Sequence, residues 1–329
     1  MSALVHLEHA GAHATVDPQC GGTVRQLSLV PAGVAPAERS DAAAEAVLVD
    51  PERPGPSSPE SQLVGQGCRT ELFAGRLLVP FADRIIDARY PWDGTVWRLA
   101  PNDVNGRDAI HGFLYRSAMS TISSARDQVT LLAALEAEEG YPWKLEVAVT
   151  YRVAASRFTL ELEIVNRSDS AAPLAPGWHP YLKPGKASGG RCDDWTLHLD
   201  ADTMIEVDED LVPSGRLTPV AGDQDLRQAL PIGAREIDTG YRLRGPDGRS
   251  AAATAPAAVL EHGSRRLELW CEGAFAGVQV FTPPQRDCLA LEPVVGPAES
   301  FRYPQLGLLS LAPGQRMSAR THILLKELA

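Results

Sequence analysis

The chain has 329 residues, 44% of them hydrophobic, so it is long enough to bury a sizeable core. Its formal net charge of −11 and its scattered basic residues argue against nucleic acid and anionic membranes as partners. No apolar stretch approaches the roughly 20 residues that a membrane-spanning helix needs, so we expect no membrane partner.

The cysteines and the first residues together predict a cytoplasmic protein. The chain begins without the basic and apolar regions of a secretory signal. Five widely spaced cysteines form no Cys-x-x-Cys pair: Cys20, Cys68, Cys192, Cys271 and Cys288. Such an odd, scattered set is typical of reduced thiols.

Alternation of apolar and polar residues runs through the chain and predicts β-strands. A first strand lies in "GGTVRQLSLV" and needs partners from later in the chain. It is followed by residues 31–62, rich in Pro, Ala, Ser and charge, in which only "AVLVD" resembles a strand. We interpret the rest of that segment as a surface loop within a single domain of residues 1–329. Residues 144–153 and 157–166 then alternate so regularly that they predict an antiparallel hairpin with one buried face.

The remainder of the chain predicts five more strands and one short helix. The strands lie in "DWTLHLDAD", "RRLELWCE", "AGVQVFT", "DCLALEP" and "MSARTHILL", and a helix of two turns is expected in "DQDLRQAL". Gly, Pro, Asp and Asn interrupt these patterns about every ten residues, which is typical of a sandwich. The sequence therefore predicts an all-β fold, a large antiparallel β-sandwich.

A histidine lies in the turn "APGWHPYLKPG", residues 175–185. Its three prolines and two glycines exclude a helix interior or a central strand. His179 therefore lies on a stiff turn beside Trp178 and Tyr181. Sugar rings stack on aromatic faces while their hydroxyls form hydrogen bonds, so both aromatic residues are candidates for sugar binding.

Two further residues stand out by their neighbours. His111 lies between Ile110 and Gly112, which indicates partial burial and a close approach of the backbone to another group. Glu292 ends a strand in which Cys288 and Ala290 share its face, and these small side chains leave room for a ligand. Each of these residues could equally belong to the surface or the core.

Taken together, the motifs resemble the aldose 1-epimerases, or galactose mutarotases, from about residue 14 to the end. The resemblance lies in eight segments in matching order: "FADRI", "YPWDGTVWRL", "AIHGF", "GWHPYL", "EIDTGYRL", "AGVQVFTPP", "LALEPVVGP" and "LAPGQ". It implies the galactose-mutarotase-like supersandwich, with the site in a groove on one concave sheet. It also implies a small-molecule sugar substrate and a monomer or homodimer.

The resemblance assigns roles residue by residue. His179 matches the general acid of the family, Glu292 its general base and His111 its second active-site histidine. The residues that match sugar-binding positions are Arg84, Asp238 and Gln279.

Two positions depart from the family pattern. Asp83 stands where an asparagine usually precedes the arginine, which exchanges an amide donor for a carboxylate. The tail after the catalytic strand reads "AESFRYP" instead of a "DAFN"-like sequence. Both changes flank sugar-contacting elements, so they bear on which sugar binds.

The implied reaction opens a cyclic hemiacetal and closes it on the other face. An acid and a base on opposite sides of the anomeric centre suffice, so we expect no cofactor and no metal. Three alternatives stay open. A sugar-phosphate epimerase would need a basic pocket from Arg25, Arg69, Arg76, Arg107 and Arg116. The chain could be a non-catalytic sugar-binding module, or its site could hold a metal ion on His111, His179, Asp238 and Glu292.

Overall fold

The computed structural model describes residues 4–40, 43–49, 72–185, 190–245 and 254–328. Within these ranges the chain is an all-β sandwich of two large antiparallel sheets with a continuous core between them. We call the larger one the site sheet, because it carries the residues discussed below, and the other the back sheet.

The site sheet has twelve strands. Ten of them form a path, in the order Val5–His9, Ala12–Asp17, Thr23–Leu29, Glu45–Val49, Tyr181–Leu182, Leu289–Val294, Gly277–Phe281, Asp238–Leu243, Ala201–Val207 and Pro213–Pro219. Off this path, Gly177–Trp178 pairs with both Leu289–Val294 and Leu77–Leu78.

The back sheet has nine strands. Their order is Ser120–Ser124, Gln128–Leu135, Leu145–Ala154, Arg157–Asn166, Arg316–Glu327, Arg265–Gly273, Ala258–His262, Thr196–Leu199 and Leu230–Pro231. Three two-stranded pairs complete the fold: Ala172–Leu174 with Leu309–Leu311, Arg84–Ile85 with Ala109–Ile110, and Arg89–Trp92 with Thr95–Arg98. Short 3₁₀ turns lie at Pro18–Cys20, Pro36–Glu38, Ile86–Ala88, Leu114–Arg116, Cys192–Asp194, Gly222–Gln224 and Pro304–Leu306.

The predicted hairpin of the back sheet is confirmed. Leu145–Ala154 pairs with Arg157–Asn166 over its whole length, with Val149 opposite Leu162. Along both strands buried and partly exposed residues alternate, because one face packs on the site sheet. Burial of each such Val or Leu side chain stabilises the fold by about 1.5–3 kcal/mol.

The helix expected in "DQDLRQAL" is wrong. The described residues there form only the 3₁₀ turn Gly222–Gln224. The Asp225 carboxylate accepts a hydrogen bond from the backbone N–H of Arg227, and such a local bond competes with the helical hydrogen bonds. Leu226 is 2% exposed and anchors this segment in the core.

The strand indicated by "AVLVD" within residues 31–62 is confirmed. Glu45–Val49, which includes most of "AVLVD", is an internal strand of the site sheet between Thr23–Leu29 and Tyr181–Leu182. Before this strand Ala35, Ala37 and Glu38 are exposed, as expected of a loop. Residues 50–62 lie outside the described ranges.

The cysteines differ from expectation. Cys192, Cys271 and Cys288 are free and buried, but Cys20 is disulfide-bonded, so the prediction of five reduced thiols is wrong for that residue. Disulfides persist mainly in oxidising compartments. The cysteines therefore no longer support the prediction that the protein is cytoplasmic. In the parts of the chain that the structure describes, no helix is long and apolar enough to cross a membrane.

Candidate active site

His179 lies in a gap between two short strands that pair with the same neighbour. Gly177–Trp178 and Tyr181–Leu182 both pair with Leu289–Val294, and Pro180, which lacks an N–H, separates them from each other. The backbone of His179 is held on its other side by two hydrogen bonds. Its N–H donates to the carbonyl of Arg76 at 3.0 Å, and its carbonyl accepts from the N–H of Gly75 at 2.8 Å. The turn therefore fixes the imidazole against the site sheet.

Glu292 lies beside His179 on the neighbouring strand. The Nε2 atom of His179 is 3.3 Å from Oε1 of Glu292, and the two side chains are only 6% and 4% exposed. Burial raises the pKa of Glu292 well above its usual value, and the charges of Asp83 and Asp238 raise it further. Burial lowers the pKa of His179 to about 3. Both shifts favour the uncharged forms, a protonated Glu292 and a neutral His179.

His111 and Asp83 hold each other through reciprocal hydrogen bonds. The N–H of Asp83 donates to Nδ1 of His111, and the N–H of His111 donates to the carbonyl of Asp83, both at 3.0 Å. Both residues have a φ of +58°. Residues other than glycine adopt such a positive φ rarely, and those that do are concentrated at functional sites. Because Nδ1 accepts, the proton of the neutral ring lies on Nε2, which can donate to a ligand.

The two histidines form an aromatic wall with their neighbours. The ring centroids of His111 and His179 are 5.1 Å apart, and His179 stacks on Tyr181 at 5.0 Å. Burial lowers the pKa of His111 well below its usual value, and the neighbouring His179 lowers it further. His111 is therefore a neutral hydrogen-bond donor at physiological pH.

Three predicted sugar-binding residues, Gln279, Asp238 and Arg84, lie together next to Glu292. Gln279 is directly opposite Glu292 on the adjacent strand, and its amide donates to Oδ1 of Asp238 at 2.7 Å. Arg84 has a half-exposed side chain, and its Nε is 3.7 Å from Asp108. A cavity of about 60 Å³ is bordered by Gln279, Asp238, Arg84 and Asp83, so these side chains share one small opening.

Trp178 does not lie with the others. It is fully buried, its indole N–H donates to the carbonyl of Gly75, and its ring packs near Phe158 in the core between the sheets. Adjacent residues of an extended segment point to opposite faces, so a turn that directs His179 to the outer face directs Trp178 inward. Trp178 is therefore not among the residues that we propose to contact the sugar. Tyr181 is 1% exposed and supports the His179 ring.

Two residues at the site were missed by the sequence analysis. Phe73 packs edge-on against His111, with centroids 4.6 Å apart. Glu299, in the divergent tail, is 1% exposed; its N–H donates to the carbonyl of Arg84 and its carboxylate accepts from the N–H of Ile86. Glu299 also pairs with Arg302 at 3.0 Å. For Glu299, the available signal in the sequence was its position in the tail that departs from the family pattern.

Two alternatives find no support in this geometry. Arg25, Arg107 and Arg116 are each engaged by a carboxylate of their own, namely Asp17, Asp87 and Glu138. Arg76 is buried against Phe73 and Tyr115, and Arg69 lies outside the described residues. Among the side chains that the structure describes, no group of three or more His, Cys, Asp or Glu is arranged to hold a metal ion.

Comparison of the sequence with known proteins finds one family. A model described as aldose 1-epimerase matches residues 59–324. The uncharacterized protein YihR of Escherichia coli K12 is 29% identical over 266 residues, which cover 78% of this chain and 83% of that protein. Human galactose mutarotase is 28% identical over 180 residues, 53% of this chain and 51% of the human protein.

Solved structures match over nearly the whole chain. A homologue of GalM/aldose epimerase from C. elegans superposes with a TM-score of 0.82 at 15% identity and covers 100% of both chains. Galactose 1-epimerase from Lactobacillus acidophilus NCFM gives 0.74 at 20% identity, covering 99% of this chain and 95% of that one. At these identities the likeness shows a shared fold.

Proposed function

The chain belongs to the aldose 1-epimerase family, and from that membership we propose that it interconverts the α and β anomers of a free aldohexose such as galactose or glucose. It is an isomerase that acts on carbohydrates. The observation that carries the specific proposal is the buried contact of 3.3 Å between Nε2 of His179 and Oε1 of Glu292.

This contact suits the geometry of the reaction. Ring opening removes a proton from the C1 hydroxyl and delivers one to the ring oxygen, and both oxygens are bonded to the same carbon. The sequence analysis expected an acid and a base on opposite sides of that carbon. Because His179 and Glu292 lie side by side, we propose instead that they act from neighbouring positions. Neighbouring groups can serve two oxygens that share one carbon, so the arrangement stays competent for proton transfer.

The protonation state of the pair also fits a reversible reaction. The pair holds one proton, and ring opening moves it from one partner to the other: one side chain gives a proton to the ring oxygen as the other takes the C1 hydroxyl proton. In the aldehyde, rotation about the C1–C2 bond exposes the opposite face. Ring closure then reverses both transfers and restores the pair, so no cofactor is consumed. Burial opposes the charged form of each side chain, so it favours placing the proton on Glu292.

The surrounding residues would bind and orient the ring. We assign the Nε2–H of His111 and the guanidinium of Arg84 to the stabilisation of charge on the sugar oxygens. We assign Asp238 and Gln279, already joined by a hydrogen bond, to the ring hydroxyls. Asp83, one of the two departures from the family pattern, borders the same small cavity.

Polarimetry tests the proposal directly. Freshly dissolved α-glucose and α-galactose should reach their equilibrium rotation faster with the protein than without it. Glu292→Gln keeps the shape but cannot exchange a proton with the sugar, so we expect kcat to fall by about 10²-fold or more. Acceleration of glucose 6-phosphate alone would contradict the free-sugar proposal. Binding of sugars without any acceleration would point to a non-catalytic module.

A further inference from the structure

A fully buried cation lies beside the two histidines of the site. Arg76 is 0% exposed, whereas arginine is rarely buried to this extent. Its guanidinium carbon lies over two aromatic rings, 5.2 Å from the centroid of Tyr115 and 5.8 Å from that of Phe73. Cation–π contacts of this kind are attractive, and they are stronger where water is excluded. The two rings therefore hold the charge at a defined place inside the protein.

Arg76 is connected to both histidines by direct contacts. Its carbonyl accepts the N–H of His179 at 3.0 Å, and its own N–H donates to the carbonyl of Phe73 at 3.2 Å. The Phe73 ring, which the guanidinium overlies, also packs edge-on against the imidazole of His111, with centroids 4.6 Å apart. Arg76 thus lies next to His179 through the backbone and is separated from His111 by one aromatic ring.

A positive charge at this place opposes a second positive charge on either imidazole. Burial is the main cause of the lowered pKa of His179 and of His111, and the charge of Arg76 lowers both further. This agrees with the contacts, which bring the guanidinium close to both rings. The cation therefore acts on the proton-transfer pair without touching the sugar.

The other ionisable groups that face His179 and Glu292 come from several elements: His111, Tyr181, Asp83, Asp238 and Arg84. Of the two arginines, Arg84 has a side chain that is 45% exposed and lies 3.7 Å from Asp108, so water and a carboxylate screen its charge. Arg76 is fully buried, and water screens a buried charge much less. Arg76 is therefore the arginine whose charge should act on the pair most strongly.

We propose that Arg76 is a positioning residue whose buried charge keeps the imidazole of His179 neutral and so sets the pH range in which the His179–Glu292 pair can exchange protons with the sugar. The inference rests on the proposed function. It adds to that function a residue that lies outside the sugar-binding set and acts through His179.

Loss of a buried cation has a signature that a change in packing does not share. Without the positive charge a proton is added to the pair more easily and removed from it less easily. Both limits of the bell-shaped pH dependence of kcat/KM should then move to higher pH. If water merely entered the site, both charged forms would be stabilised, and the two limits would move toward each other.

The test is polarimetry of α-glucose and α-galactose across the pH range. Arg76→Met removes the charge and retains a side chain that can pack on both aromatic rings. We expect both limits of its kcat/KM profile to rise by about one pH unit. Arg76→Lys retains the charge and should keep both limits close to those of the native protein.

Two controls separate charge from packing. Tyr115→Leu removes one of the two rings that contact the guanidinium but changes no charge near neutral pH, so it should leave both limits in place. Arg126→Met removes a cation whose side chain is 76% exposed, in the turn between Ser120–Ser124 and Gln128–Leu135 of the back sheet. It should leave the whole profile unchanged.

A second uncharged variant, Arg76→Gln, guards against misfolding and should shift both limits in the same direction as Arg76→Met. Circular dichroism and thermal melting establish which variants are folded. Limits that stay at their native values in the folded uncharged variants overturn the inference, and acceleration by the native protein then leaves the proposed function intact. Limits that move in opposite directions, or that move equally in Tyr115→Leu, also overturn it. Failure of the native protein to accelerate either sugar overturns the proposed function and the inference that rests on it.

Discussion

Asp83 lies close to the other acidic groups of the site, and burial raises its pKa from 3.8 to about 6, with a further rise from the charge of Asp238. Between these two pH values the folded protein binds more protons than the unfolded chain does, so stability falls as the pH rises. The loss is complete above pH 6 and amounts to at most about 3 kcal/mol. Asp83, one of the two departures from the family pattern, therefore weakens the fold at neutral pH.

Asp83→Asn should remove this penalty. We expect the melting temperature of the variant to exceed that of the native protein at pH 7.5, with the gap closing as the pH is lowered toward 4. Asp87→Asn is the matched control with the opposite sign, because a hydrogen bond from Arg107 lowers the pKa of Asp87. A gap for Asp83→Asn that does not change with pH would show that Asp83 has an ordinary pKa.

The contact between His179 and Glu292 predicts that their mutational effects do not add. Loss of either partner removes the proton shuttle in both directions, so His179→Gln and Glu292→Gln should each lower kcat by about 10²-fold or more. The double variant should be no slower than the slower single variant. Multiplication of the two losses in polarimetric assays would mean that the residues act independently.

At the scale of elements, the turn that carries His179 depends on Gly75. This glycine has a φ of +70°, and a Cβ added there would lie 2.0 Å from the carbonyl oxygen of Val24. Its N–H holds the His179 carbonyl, so a backbone shift at Gly75 would be transmitted to the imidazole.

Gly75→Ala should therefore reduce both stability and turnover. The control is Gly94→Ala, since Gly94 has a φ of +73° but no atom within 4 Å of an added Cβ. Backbone strain alone should lower the stability of that control by about 1–2 kcal/mol without affecting kcat. The expected result for Gly75→Ala is a larger loss, together with slower mutarotation. Equal losses in the two variants, measured by urea unfolding, would count against the steric argument.

Glu299 connects the divergent tail to the segment that carries Arg84. Glu299→Gln retains an acceptor for the N–H of Ile86 but loses the ion pair with Arg302. Because the ion pair with Arg302 steadies the residue whose N–H donates to the Arg84 carbonyl, we expect KM to rise by about fivefold, or ~1 kcal/mol, with a smaller change in kcat. The exposed Glu38→Gln should leave both constants unchanged. A fall in kcat at constant KM would contradict a positioning role.

The elements predicted best are those with long, regular alternation. The pairing of Leu145–Ala154 with Arg157–Asn166 could be inferred because ten residues of one period specify a buried face. The inward orientation of Trp178 could not be inferred from the sequence. It depends on a strand of two residues, Gly177–Trp178, which is too short to show a period. The Asp225 side chain likewise overrode a helical pattern through one local hydrogen bond.

The candidate site was anticipated at Glu292, where the alternation of the strand separates two faces. Ala290 and Cys288 pack with Tyr181 on the outer face, while Leu289 and Leu291 belong to the main core, as predicted. Phe73 and Glu299 were missed because each reaches the site through contacts with residues distant in the sequence.

At the scale of the whole molecule, the core predicts cooperative unfolding. One cluster of buried side chains includes residues of both sheets, from Leu7 near the start of the chain to Leu325 near its end. The sequence prediction of a single domain therefore implies one unfolding transition. We expect urea curves followed by tryptophan fluorescence and by far-ultraviolet circular dichroism to coincide. Two separated transitions would show that the chain divides into independent units.

His179 lies in a turn beside the strand that carries Glu292, and this placement bears on how the substrate choice of the fold can be changed. Their separation is set by the lateral spacing of a sheet, about 4.8 Å, and by a turn anchored to that sheet, rather than by a closing lid. The hairpin between Val207 and Pro213 and the segment 281–286 border the groove without supplying either proton-transfer group. Loop exchange or randomised libraries in these two segments should thus retune substrate choice while the chemical step stays intact.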